Sequence, residues 1–208
     1  GINKIGLHDL EELAGSYPGK LMAVHMDVSD DESVKQATAS ISCKTDTLDV
    51  LVNNAAILGD IKASIGEELD FNEMQEVYNV NALGPLRVVN SLFGLVINSR
   101  SPLVVNISSE AGSISACRRK GWFGYCMSKA ALNMQSSIIH NCLSEYGGHV
   151  LVIHPGWLRT TMQGKVDEEA PMTAEESAEC IAGIIRKHEK YKSGRAVFVD
   201  YGGNEMQW

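Results

Sequence analysis

The chain has 208 residues, 44% of them hydrophobic and 21% charged, which is enough for one domain with a substantial core. Its net charge of -8 argues against nucleic acid or an anionic membrane as the main partner; the one dense basic cluster, Arg118-Arg119-Lys120, reads as a solvated loop. Five scattered cysteines with no Cys-x-x-Cys pair favour reduced thiols in a cytoplasmic protein over a disulfide framework or a zinc site, and neither a membrane-length apolar run nor a signal-peptide pattern is evident.

In chain order, Lys20–Val28 reads as a short buried strand. Ser29 is the expected N-cap of a helix running through Ile41, with Glu32 as its capping-box partner. Leu48–Val52 is a second apolar strand, stopped by Asn53-Asn54-Ala55-Ala56. Phe71–Asn98 carries apolar residues at helical spacing, and Leu103–Ile107 is β-branched and strand-like. Tyr125–Glu145 is a helix with an apolar stripe that includes Leu132, Ile138 and Ile139, ended by Gly147-Gly148. His149–His154 is a strand closed by Pro155-Gly156. Thr173 caps a helix running toward Lys187, and Arg195–Asp200 is a last strand. No internal repeat or linker divides the chain.

Continuous apolar strands alternating with helices predict an α/β fold: a doubly wound parallel sheet between two helical layers. Ligands of such sheets lie at the carboxyl ends of the strands, and Asp27, Asn54, Ser109 and Pro155-Gly156 all fall there. A nucleotide-binding sheet of this type opens with a strand, a Gly-rich turn, a helix and a second strand. Gly1 to Pro18 supplies none of these; Gly1–Gly6 is too short, and His8–Leu13 resembles the tail of a helix. The expectation is therefore that the first βαβ unit, roughly 30 residues or more, is absent or incomplete.

The chemistry is carried by Tyr125 and Lys129, four apart and so on one helix face. An ammonium beside a phenol favours the phenolate, so the tyrosine pKa is expected below its usual ~10, where it can exchange protons near neutrality. Ser109 can hold a carbonyl or alcohol oxygen against that phenol. Ser108 has the opposite strand parity. A Tyr-x-x-x-Lys alone is more often ordinary helix packing, and its weight here comes from Asn81, Ser109 and the Pro-Gly segment at fitting positions. No nucleophilic triad or metal cluster is evident. His25, His140, His149 and His154 read as structural or surface residues with no paired carboxylate, and Met127–Met134 as helix packing.

These motifs resemble the short-chain dehydrogenase/reductase family, from about Asp27 to the C-terminus. The stretches GSIS, GWFGYCMSKAALNM, HPGWLRTTM and FVDYGGNEMQW are similar to its sniffer/C-factor-like carbonyl reductase branch. The resemblance implies a Rossmann-type fold and a nicotinamide cofactor, NAD or NADP, with the branch favouring NADP. It places Asp27-Val28 beside the adenine and Asn54-Ala55-Ala56 along the cofactor, with Ala56 where the family has glycine. Asn81, Ser109, Tyr125 and Lys129 match the catalytic four, and Gly112 follows Ser109 at the family's spacing. Pro155, Gly156, Trp157, Leu158 and Thr160 match the segment covering the nicotinamide.

By that resemblance Tyr125 passes a proton to the substrate oxygen, Ser109 fixes that oxygen, Lys129 depresses the phenol pKa and holds the ribose, and Asn81 positions a water. The substrate is a small carbonyl or alcohol compound, bordered by the Gly112–Gly124 loop and a Met162–Thr173 lid. Trp122-Phe123 reads equally as core or as pocket wall. Helices starting near Glu73 and Tyr125 would pair between subunits in a homodimer or homotetramer. Two other readings stay open: a non-catalytic signalling or regulatory protein on the same scaffold, and a lyase or epimerase using the same Tyr-Lys pair.

Overall fold

The computed structural model describes residue 10 and residues 12–208; the readings of Gly1–Gly6 and of His8, Asp9 and Glu11 lie outside the described residues. The strands are β1 (Val50–Asn53), β2 (Leu103–Ile107), β3 (His149–His154), β4 (Leu158–Arg159), β5 (Met172–Thr173) and β6 (Val197–Asp200). β1, β2, β3 and β6 lie side by side in that order, every pair parallel, and β4 pairs with β5 in a separate parallel ribbon. Besides a helical stretch at residues 12–16, where the helix tail expected over 8–13 is borne out for its described residues, the helices are α1 (Asp31–Ser42), α2 (Phe71–Tyr78), α3 (Gly84–Ile97), α4 (Phe123–Ser144) and α5 (Ala174–Arg186). Helices α2 and α3 link β1 to β2, α4 links β2 to β3, and α5 lies between β5 and β6. This is the alternation that a parallel sheet requires.

Every residue of β2 is buried, as is β3 from His149 to Ile153, because helices cover both faces. On one face Val104, Val150, Val152 and Phe198 pack with Val34, Val88, Leu92, Val96, Ile139 and Leu143 of α1, α3 and α4. On the other, Leu103, Val105, Ile107, Leu151, Ile153 and Val199 pack with Ile184 of α5. Val52 of β1 remains 43% exposed, so this second face runs out at the β1 edge of the sheet.

Three local expectations are corrected. Residues 21–27 form no strand. Met26 and Val28 do pack against the core, as the alternation suggests. However, no partner among the described residues completes a ladder with this segment, and a strand exists only through its ladder. Met22–His25 instead line a cavity of about 570 Å³ against Ser33, Gln36 and Ala37 of α1. Second, the N-cap of α1 is Asp30, whose carboxylate accepts from Ser33 N at 2.6 Å, while Ser29 donates its hydroxyl to Asp27. A carboxylate one residue later outcompetes the serine hydroxyl as acceptor. Third, the 71–98 helix is interrupted: Asn79–Leu83 is a π-helical turn between α2 and α3.

Phe71–Ile97 is also long and apolar enough, by length and composition, to cross a membrane, contrary to the sequence reading. Val88, Val89, Leu92 and Val96 explain that composition, since they face the sheet and are buried. The predicted Thr173 cap of α5 forms a full capping box with Glu176.

Candidate active site

At the carboxyl end of β1, Asn53 is buried and donates Nδ2 to Asn106 Oδ1 of β2 at 2.7 Å. Asn106 Nδ2 donates to Ser136 Oγ of α4 at 2.7 Å, and Ser136 donates to the Leu132 carbonyl. This relay ties two strands to the helix that carries Tyr125. Beyond it the chain opens: Asn54 and Ala55 are exposed and Ala56 is half-buried.

Asn81 sits in the π-turn and is fully buried. Its Oδ1 accepts from Ile57 N and its Nδ2 donates to Ile57 O, both at 2.8 Å; Nδ2 also donates to Ser128 Oγ at 3.1 Å. Both amide hydrogens are therefore spent on the strand-end loop and on α4. A water held by Asn81 could be met only by an acceptor lone pair. The π-turn widens the helix at this one residue, a feature frequent at functional sites that apolar periodicity does not reveal.

Ser109 follows β2, caps the short turn Glu110–Gly112, and accepts from Ala111 N through Oγ at 3.1 Å. Ser108 points the other way, donating to Asn133 Oδ1 at 2.6 Å, as its parity predicts. Gly112 is required by crowding: a Cβ there would lie 2.8 Å from the Lys129 backbone.

Tyr125 is 9% exposed and Lys129 2%. The Lys129 ammonium lies 5.6 Å from the Tyr125 ring centroid and donates to the Ile107 carbonyl at 2.9 Å. The expected direction of the phenol pKa is corrected. Burial raises Tyr125 above its ordinary 10, and the Ser109 hydroxyl, rather than Lys129, leads the opposing influences. The cation lies over the ring and is bonded to a carbonyl, and it is itself desolvated, its pKa falling to about 8.

The cover segment is tethered. Gly156 takes φ +93°, where a side chain is strained. Ser177 Oγ donates to the Pro155 carbonyl at 2.7 Å, and Arg159 Nε to the Ala170 carbonyl at 2.7 Å. Leu158 pairs with Met172, the Thr160 carbonyl accepts from Asp167 N, and Trp157 Nε1 donates to Asp167 Oδ2 at 2.8 Å. Asp27 accepts the amide and hydroxyl of Ser29, which together hold its carboxyl below the usual range. Val28 packs against Gly84, where an added Cβ would meet its Cγ2 at 2.9 Å. That seats the Asp27-Val28 pair beside the helix leading out of the Asn81 turn.

Other side chains depart from the sequence reading. Met127 and Met134 are exposed rather than packed. His154 accepts from Glu110 N at 3.3 Å and feels the charges of Glu110 and Asp200, so carboxylates do lie near it. His140 and His149 are structural, as read: His140 accepts from Val150 N, and His149 stacks on His188 at 5.1 Å. The contacts of Glu110, Arg119 and Asp167 had no signal in spacing, because loops bring them together.

A nicotinamide nucleotide fits the half of the cleft built here. Lys129 Nζ has three hydrogens and one bonded partner, leaving two buried donors for a diol. Tyr125, Ser109 and the 155–160 segment surround the carboxyl strand ends. No glycine-rich turn between a strand and a helix occurs among the described residues for the phosphates.

Fold and site together define an NAD(P)-dependent oxidoreductase. The chain belongs to the short chain dehydrogenase family, whose model matches residues 3–171. It is 34% identical over 164 residues to the C-signal protein of Myxococcus xanthus, covering 79% of this chain and 95% of that one. It is 28% identical to the 3-oxoacyl-[acyl-carrier-protein] reductase FabG of Thermotoga maritima, covering 97% of this chain and 84% of that one. Among solved structures, the NADPH-bound carbonyl reductase from chicken fatty liver superposes with a TM-score of 0.85 at 30% identity, covering 97% of this chain and 82% of the other. Carbonyl reductase Sniffer of D. melanogaster gives 0.87 at 25% identity, covering 99% and 85%.

Proposed function

We propose that this protein is a carbonyl reductase working with NADPH through Tyr125, Ser109, Lys129 and Asn81. The observation that carries the reading is the buried Lys129 ammonium beneath the Tyr125 ring, with the Ser109 hydroxyl acting on the same phenol. When bound, the nicotinamide supplies or accepts a hydride. Tyr125, protonated at neutral pH because burial raises its pKa, donates its proton to the oxygen of the reduced carbonyl. Ser109 fixes that oxygen, and Lys129 offers its two free hydrogens to the ribose hydroxyls. Asn81 braces the Ile57 loop against α4. Asp27, Val28, Asn54, Ala55 and Ala56 line the adenine side, and Pro155 to Thr160 cover the nicotinamide.

The choice of NADPH rests on the nucleotide in the chicken neighbour. Following absorbance at 340 nm with a panel of carbonyl compounds tests the reading, and Tyr125→Phe is expected to lower kcat by about 10²–10⁴. Undiminished reduction by that variant would falsify the proton-donor role. One relative is named for signalling rather than chemistry; a wild-type protein that binds nucleotide yet oxidises none with any carbonyl would favour that second reading.

On this reading the protein works in the cytoplasm as a homodimer or larger. Its five cysteines are all free. Phe71, Tyr78, Leu83 and Leu86 along α2–α3 and Met127, Met134 and Ile138 on α4 are exposed apolar side chains, suited to a second copy of the chain. Light scattering should give at least a dimer mass, and Ile138→Lys should shift it toward the monomer. A monomeric wild type would end this assignment.

A further inference from the structure

Glu110 directly follows Ser109, and its carboxylate receives both terminal nitrogens of Arg119: Nη1 donates to Oε2 at 2.8 Å, and Nη2 to Oε1. Such a two-pronged pair fixes orientation as well as distance. The Arg119 guanidinium also lies 4.8 Å over the Trp122 ring. Trp122 stands edge-on to Tyr125 at 6.1 Å between centroids. It is also the sole non-glycine residue with positive φ among the described residues, at 66°. A bulky side chain adopts that conformation only where its surroundings enforce it. No side chain caps α4 at this residue. On the other flank, Gly121 bridges to Ser64.

We propose that Glu110 and Arg119 form a positioning latch that ties the 113–122 loop to the residue after Ser109 and holds the Trp122 indole against Tyr125, so that the wall of the substrate pocket and the proton donor share one fixed geometry. The inference rests on the reductase reading and goes beyond it, since neither residue touches the reacting atoms. The pair matches the Arg119 charge with the Glu110 carboxylate, so the pocket beside Trp122 suits uncharged, flat or aromatic carbonyl compounds rather than keto acids.

The latch also places opposite charges near the phenol. Glu110 pushes the Tyr125 pKa up and Arg119 pulls it down. The other ionisable groups facing this cluster are Cys117, Cys126 and Lys129, with His154 from β3 and Asp200 beyond it. Reduction needs a protonated Tyr125, so activity falls as pH rises through its pKa, a transition that lies above that of Lys129 at about 8 and is the alkaline limb followed below. Arg119→Ala removes the pull, and the alkaline limb of kcat/KM should move up by about half a pH unit; Glu110→Gln removes the push and should move it down by about as much. The double variant should return near wild type. A purely structural pair would shift both single variants the same way.

A second readout is independent of activity. Trypsin cleavage after Arg118 or Lys120 should be ~10-fold faster in Glu110→Gln and in Arg119→Lys, the latter keeping its charge, its cleavage site and its pH profile while losing the fork. Wild-type cleavage rates in both variants, or alkaline limbs moving in the same direction, overturn the latch. A wild-type protein that reduces no carbonyl while the cleavage contrast holds overturns the reductase reading and leaves the latch standing.

Discussion

Lys129→Met should stabilise the protein at neutral pH while abolishing its proposed chemistry. Lys129 is 2% exposed, and its pKa falls from 10.5 to about 8, which is about 2.5 pH units. At ~1.4 kcal/mol per unit, holding the buried ammonium costs the native state about 3 kcal/mol. Methionine fills nearly the same volume without charge. It forfeits the bond to the Ile107 carbonyl, a loss of about 1–2 kcal/mol. The net gain of about 1–2 kcal/mol corresponds to a Tm roughly 3–6 °C higher for a chain of this size.

The pH dependence separates this from a packing effect. Between about pH 8 and 10.5 the unfolded chain still holds the Lys129 proton while the folded one has released it. The unfolded state then binds more protons, so wild-type stability rises with pH across that window relative to the variant. The penalty is fully present below pH 8 and fades as pH climbs to 10.5. Thermal unfolding followed by circular dichroism, without added nucleotide, at pH 7 and pH 9.5 measures it. The variant's advantage should be largest at pH 7 and shrink at pH 9.5. A variant less stable than wild type at pH 7, or a difference that ignores pH, would refute the reasoning.

Two further substitutions probe the scaffold that holds the site. Gly112→Ala drives a methyl group to 2.8 Å from the Lys129 backbone, so it should cost about 1–3 kcal/mol in urea unfolding and lower kcat as well; wild-type stability would show that the Ser109 turn can move away from α4. Thr173→Ala removes one half of the capping box of α5 and should lower Tm by about 2–4 °C, roughly 1 kcal/mol; an unchanged Tm would mean that the cap is redundant.

Much of the site was legible because it is local. Tyr125 and Lys129 share a face through helix geometry alone, and the parity of Ser108 and Ser109 follows from the period of a strand. Thr173 with Glu176 is a capping box by spacing. The apolar character of β2 and β3 marked them as interior strands of a parallel sheet before any contact was known. Asn53 was legible as a strand-end residue, but its bond to Asn106, 53 residues away, was not.

What the sequence determined by itself is the set of elements, their α/β order and the residue types waiting at the strand ends, because these depend on periodicities of two and 3.6 residues and on caps within one turn. The tertiary structure decided the rest. Burial, set by every neighbouring element at once, raised the Tyr125 pKa where the lysine alone predicted a drop. With no ladder partner among the described residues, 21–27 stays out of the sheet despite a strand-like pattern. Loop closure brought Glu110, Arg119 and Trp122 together. Each of these depends on groups distant in the chain, and desolvation and hydrogen bonding act through space rather than along it.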